Sequence, residues 1–145
     1  MTQPNDSPPL VDTHTHLDEP VFDLDREAVL AASRHAGVRR FINIGYKPER
    51  WDTSRSLREQ HRDIEVVIGL HPLESASFGP ELQRQLLGEV EDLRPVAIGE
   101  AGFDFVRAAP SAQEQERAFR VQLEIASHTG LPVVIHQREA ADALM

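Results

Sequence analysis

Five short apolar runs recur along this 145-residue chain, and each is followed by a longer stretch with helical patterning. LVDTH (10–14), VRRFINIG (38–45), EVVIGLHP (65–72), PVAIGEAGFD (95–104) and LPVVIH (131–136) read as strands. Helical patterns occupy 24–35, 49–61 and 80–93, a fourth runs from Ser111 to Gly130, and REAADALM (138–145) begins another. Regular strand–helix alternation, with strands apolar enough to be covered on both faces, predicts a parallel α/β sheet built through right-handed crossovers. Ser111 and Glu114 stand at capping-box spacing, and Gly130 suits a helix stop. Between them Phe119, Leu123 and Ala126 form one stripe, with Ala118, Val121 and Ile125 beside it, and this face is expected to cover the sheet.

Such a sheet either stays open and doubly wound or closes into a barrel. No G-x-G-x-x-G follows the first strand, which removes the main sequence support for a dinucleotide-binding sheet. Polar residues gather instead at the C-terminal ends of several strands, where a (β/α) barrel carries its chemistry. An apolar content of 40% is enough for one core, so residues 1–9 read as a flexible tail and 10–145 as a single domain or part of one.

Composition narrows the chemistry. With no cysteine, disulfides, thiolate metal sites and Cys nucleophiles are excluded, and any metal must be held by His and carboxylates. The net charge of −9 argues against a general nucleic-acid binder, which draws its affinity from Lys and Arg neutralising phosphates. An enzyme that grips one or two phosphates through metal ions is compatible with that charge. No apolar run reaches the about 18 residues of a membrane span, and MTQPNDSPP has neither the positive nor the apolar region of a secretory signal. The expectation is a soluble, cytoplasmic protein with no membrane partner.

The stretch VDTHTHLD (11–18) places two histidines one residue apart at a strand end. Side chains two apart share a face of a strand, so His14 and His16 can meet one cation, and neutral imidazole is a common ligand for zinc and its neighbours. Asp12 and Asp18 flank them, and carboxylates often orient metal-bound His. Glu100 ends the run VAIG and can bridge two cations, because its two oxygens point apart. His136 ends PVVI in the same manner, and His71, in GLHP, sits on the same rim. Arg138, two residues past His136, is placed to meet an anionic substrate oxygen.

Together VDTHTHLD (11–18), GLHP (69–72), AIGEAGFD (97–104), QERAFRVQLEIA (115–126) and LPVVIHQR (131–138) resemble, in order and spacing, the TatD family of metal-dependent hydrolases. The resemblance implies a TIM-type barrel of the metallo-dependent hydrolase group with one or two divalent ions, Mg, Mn or Zn. His14 and His16 would bind the first, Glu100 would bridge as the central catalytic carboxylate, and His136 would bind the second. His71, Arg138 and Asp12 would contact substrate or support the ligands. It further implies hydrolysis of DNA or another phosphodiester by metal-activated water, often from 3′ ends. Family chains have the length of a usual barrel, roughly 250 residues. A later-strand His and a late Asp of the family's site have no counterpart up to Met145. The chain therefore reads as about five strands of an eight-strand barrel, to be completed by a C-terminal half or a second chain. Two other readings stay open: a hydrolase of another small ester or amide, and a truncated, non-catalytic metal-binding remnant.

Overall fold

The computed structural model describes residues 8–107 and 110–145, so most of the expected 1–9 tail lies outside the described residues. Five strands, β1 (Leu10–Thr15), β2 (Val38–Gly45), β3 (Ile64–Ile68), β4 (Ala97–Asp104) and β5 (Val133–Arg138), form one sheet in chain order with every neighbour parallel. Helices α1 (Arg26–His35), α2 (Pro48–Gln60), α3 (Pro80–Leu93) and α4 (Ala112–Thr129) make the crossovers, and a short α5 (Ala141–Leu144) follows β5. The sheet is the curled half of a barrel. Both of its edges are open: Leu10, Val11 and Ile135, on β1 and β5, are each more than half exposed.

Two cores hold the helices against the sheet's outer face. Leu30 of α1, fully buried, packs with Leu17, Phe41, Leu57 and Ile64. Trp51, Val66, Ile68, Leu86, Val90, Ile98 and Ile125 belong to the larger cluster under α2, α3 and α4. On the opposite, concave face Ile44, Val67 and Ala97 meet across three paired strands. Strand alternation thus feeds both layers, as expected for a parallel sheet covered on two sides.

The capping box forms: Ser111 accepts from the Glu114 N–H at 3.3 Å, and Glu114 accepts from the Ser111 N–H at 2.8 Å. Gly130 takes the left-handed conformation that ends α4. The expected apolar stripe on α4 needs correction. Its buried face is Gln115, Ala118, Gln122, Ile125 and Ala126, while Leu123 is 39% exposed and Phe119 lies to the side against Phe103. Two glutamines take core positions because each pairs with backbone at or just past a strand end.

Two strand ends also differ from expectation. GLHP leaves the ladder, because β3 stops at Ile68, Leu70 bonds to Gln122, and Pro72 opens a 3-10 turn. Leu131 belongs to the helix end, where its N–H bonds Ala126, so β5 begins two residues later and runs to Arg138.

Candidate metal centre

The side chains in question meet at the C-terminal mouth of the sheet, around an open cavity of about 450 Å³ lined by His14, His16, Tyr46, His71, Glu100 and His136, with Glu19, Leu73, Glu74 and Arg107. A larger depression of about 750 Å³ lies between the start of α1 and α2, but no imidazole lines it. The ligating chemistry is concentrated in the smaller one.

β1 delivers the first pair. The His14 and His16 rings stand edge to face, 5.1 Å apart. His16 directs Nδ1 at the Ile44 carbonyl, 3.2 Å away, and donating there leaves Nε2 as a free lone pair. His14 directs Nε2 at Glu100 Oε2, 3.3 Å away. Asp12 accepts from the His14 backbone N–H at 3.3 Å, and so shapes the end of the strand without touching either ring. Asp18 is fully buried behind them, where its N–H donates to Asn43 and one oxygen accepts from Ser54. Burial raises its pKa above the ordinary carboxylate value despite those bonds.

β4 and β5 deliver the second group. Glu100 divides its oxygens between the two sides: Oε2 faces His14, and Oε1 lies 2.8 Å from His136 Nδ1. His71 accepts the Leu73 N–H on Nδ1, so the neutral ring carries its proton on Nε2, 3.2 Å from His136 Nδ1. Burial, and the neighbouring His136, push the His71 pKa down to about 4, which keeps that ring neutral near pH 7. Gly102 makes the packing possible: at φ 144° a Cβ there would lie 2.1 Å from the His136 carbonyl oxygen.

The sequence by itself gives no reason to assign Asp104 the role of the family's late Asp, and leaves it without one. It is fully buried, its Oδ1 accepts the N–H groups of Val106 and Arg107 at 3.1 Å each, and its Oδ2 lies 3.3 Å from His136 Nε2. Burial raises its pKa, but those two N–H groups and His136 outweigh it and hold the carboxyl below its ordinary value. A signal for this residue was present, since Asp104 closes the same strand that carries Glu100. Tyr46 was also missed. Its hydroxyl donates to Glu19 at 2.6 Å, and its ring stacks edge-on between His16 and His71. Arg138 is exposed and is not among the residues lining the cavity, whereas Arg107 is.

His136 therefore stands between two carboxylates with a single ring proton in its neutral state, so one of its contacts lacks a proton. A cation bound on the Glu100 side would supply the missing positive charge; His136 Nε2 and Asp104 Oδ2, both buried and without a hydrogen-bond partner as they stand, would then pair and leave Nδ1 as a ligand. His14, His16 and Glu100 form one set whose ligand atoms lie within 4.8 Å of one another, and His71, Glu100 and His136 form another. Nitrogen and oxygen donors of this kind suit divalent zinc, manganese or magnesium.

Known proteins share this sequence and fold. Residues 11–145 match the family model described as TatD related DNase. A protein of Enterobacter lignolyticus named 3'-5' ssDNA/RNA exonuclease TatD is 31% identical over 136 residues, covering 94% of this chain and 52% of the relative. The Escherichia coli protein YjjV, named an uncharacterized metal-dependent hydrolase, is 34% identical over 136 residues, 92% of this chain and 52% of its own length. The crystal structure of the same E. coli protein superposes with a TM-score of 0.86 at 32% identity, again over 92% of this chain and 52% of that one. A TatD family hydrolase from Entamoeba histolytica shares the fold at 19% identity, with a TM-score of 0.84 over 94% of this chain and 52% of that one. The chain spans about half the length of the curated relatives it matches. Its match over residues 11–145 and its half-barrel fold show that this chain belongs to the TatD family of metal-dependent hydrolases.

Proposed function

We propose that this chain carries the front half of a metal-dependent phosphodiesterase that hydrolyses DNA from its ends. The observation that supports this reading is the convergence of four imidazoles on Glu100, with a carboxylate behind His136. His14, His16 and Glu100 Oε2 would hold one divalent ion, and Glu100 Oε1 with His136, flanked by His71, a second. Such ions, when bound, acidify a water and stabilise charge on the attacked and leaving oxygens.

The chain's own residues have separate tasks. Glu100 neutralises charge on both sides of the mouth, the Ile44 carbonyl holds His16 in the tautomer that ligates, and Asp104 would do the same for His136. Tyr46 and Glu19 restrain each other on one flank. Arg107 is the one arginine among the described residues lining the cavity and would meet a substrate phosphate there, whereas Arg138 is not among the lining residues. A C-terminal half or second chain would add the later His and Asp and close the barrel over the substrate. A cytoplasmic location goes with this reading; among the described residues, no helix is long and apolar enough to cross a membrane.

One observation favours a different substrate on the same scaffold. Three of the lining side chains are glutamates, Glu19, Glu74 and Glu100, against one arginine, which favours a small neutral ester or amide over a polyanion. The test incubates the chain, completed by a C-terminal barrel half, with Mn2+ and either a 5′-labelled single-stranded oligonucleotide or ester, lactone and amide substrates. Stepwise shortening from the 3′ end, abolished by chelator and by Glu100→Ala, is the expected result. Cleavage that survives Glu100→Ala does not come from this site, and turnover of the small substrates alone selects the second reading.

A further inference from the structure

Two glutamines on the sheet-facing side of α4 are only 1% exposed. Seven residues apart, they lie two turns along the same helix face. Each grips one residue of strand-end backbone at two points. Gln122 accepts from the Leu70 N–H at 2.8 Å and donates to the Leu70 carbonyl at 3.0 Å. Gln115 accepts from the Asp104 N–H at 2.8 Å and donates to the Asp104 carbonyl at 3.0 Å. These are the bonds a neighbouring strand would make. They fall where the ladder runs out, Leu70 two residues past β3 and Asp104 at the last position of β4.

Burying an amide gains little over burying a leucine and is costly unless its bonds are made. A leucine would cover the sheet as well but would leave two backbone groups unpaired. The residues gripped are the neighbours of the chemistry. Leu70 precedes His71, whose own N–H is bound by the Tyr46 carbonyl at 2.8 Å, and Asp104 is the carboxylate behind His136. Gly69 permits the close approach at the first clamp, since a Cβ there would come within 2.7 Å of Gln122 Oε1.

We infer that Gln122 and Gln115 are positioning residues for the His71–Glu100–His136 half of the metal centre, with α4 acting as an outer brace that sets where His71 and Asp104 stand. This rests on the metal-centre reading above. The brace makes metal affinity depend on two side chains that touch no ligand.

The test measures Mn2+ affinity by calorimetry, together with Tm, for the full chain and for Gln122→Leu, Gln115→Leu and Gln122→Glu. Leu86→Ala, a core change outside the cavity lining, serves as a control matched for lost stability. Both leucine variants are expected to lose several-fold to about tenfold in affinity, at or below the low end of what removing direct support behind a metal ligand costs, because each acts through one further residue. Gln122→Glu keeps the acceptor for the Leu70 N–H, loses the donor, and is expected to fall between; it also stands in if a leucine variant does not fold. Leu86→Ala is expected to lower Tm and leave affinity unchanged. Wild-type affinity in folded glutamine variants, or an equal loss in Leu86→Ala, overturns the inference and leaves the metal centre intact. A wild-type chain that takes up no Mn2+ overturns both.

Discussion

Replacing Asp104 by Asn tests the proposed role of His136 as a metal ligand. The change is nearly isosteric, and the Asn carbonyl oxygen can still accept the N–H groups of Val106 and Arg107 that Oδ1 accepts at 3.1 Å. What changes is the atom 3.3 Å from His136 Nε2, where a carboxylate oxygen becomes an amide NH2. A donor there demands a lone pair on Nε2, so the ring proton moves to Nδ1. At Nδ1 it is taken up by Glu100 Oε1, 2.8 Å away, and no longer leaves that nitrogen free for a cation. Loss of a partner behind a ligating His typically lowers metal affinity by about 10- to 100-fold. That corresponds to about 1.4–2.8 kcal/mol of binding free energy. Stability should change less, by about 1 kcal/mol, because one neutral contact replaces one charge-assisted one. Calorimetric titration with Mn2+ or Zn2+ gives the affinity, and 15N spectra of the imidazoles give the tautomer. Unchanged affinity, or a His136 that keeps its proton on Nε2 in the variant, refutes the reasoning.

Three further outcomes follow from packing and charge. Leu30→Ala removes a fully buried side chain from the cluster with Leu17, Phe41, Leu57 and Ile64, and should cost about 2–5 kcal/mol by urea denaturation. Gly102→Ala forces a Cβ to within 2.1 Å of the His136 carbonyl oxygen at a φ of 144°; a loss of about 3 kcal/mol, with weakened metal binding, is expected, and an unchanged Tm would show that the contact relaxes freely. Hydrogen bonding to Arg34, at 2.7 and 2.8 Å, holds Asp63 below its ordinary value of 3.8. A lowered carboxylate pKa stabilises the fold above the unfolded value and loses that contribution as pH falls through the folded one. Asp63→Asn should therefore cost about 1 kcal/mol at pH 7, modest because the pair is partly solvated, and the gap from wild type should close as the medium is acidified below 3.8. A pH-independent gap would mean that packing, and not the ion pair, is responsible.

Much of the fold was legible because its signals are local. Apolar runs of strand length, Ser111 with Glu114 at a helix start and Gly130 at its end depend on a few adjacent residues, and the structure places those elements within a few positions. His14, His16, Glu100 and His136 were recognisable as a group because each closes an apolar run, and parallel strands deliver their ends to one rim. Gln115, Gln122 and Asp104 were not. By residue type they read as solvated, and only the end of a ladder, with backbone groups left to satisfy, turns a buried glutamine into a strand substitute.

By itself, then, the sequence determined which segments become strands and helices, that any metal must rest on imidazoles and carboxylates, and which strand ends carry them. Only the tertiary structure decided that Glu100 divides its oxygens between His14 and His136, that Asp104 stands behind His136, and that Arg107 reaches the cavity ahead of Arg138. Those outcomes depend on how strands 36 or more residues apart are registered and on which way each ring turns. Long-range backbone pairing sets the first, and the single proton that each neutral imidazole must place sets the second.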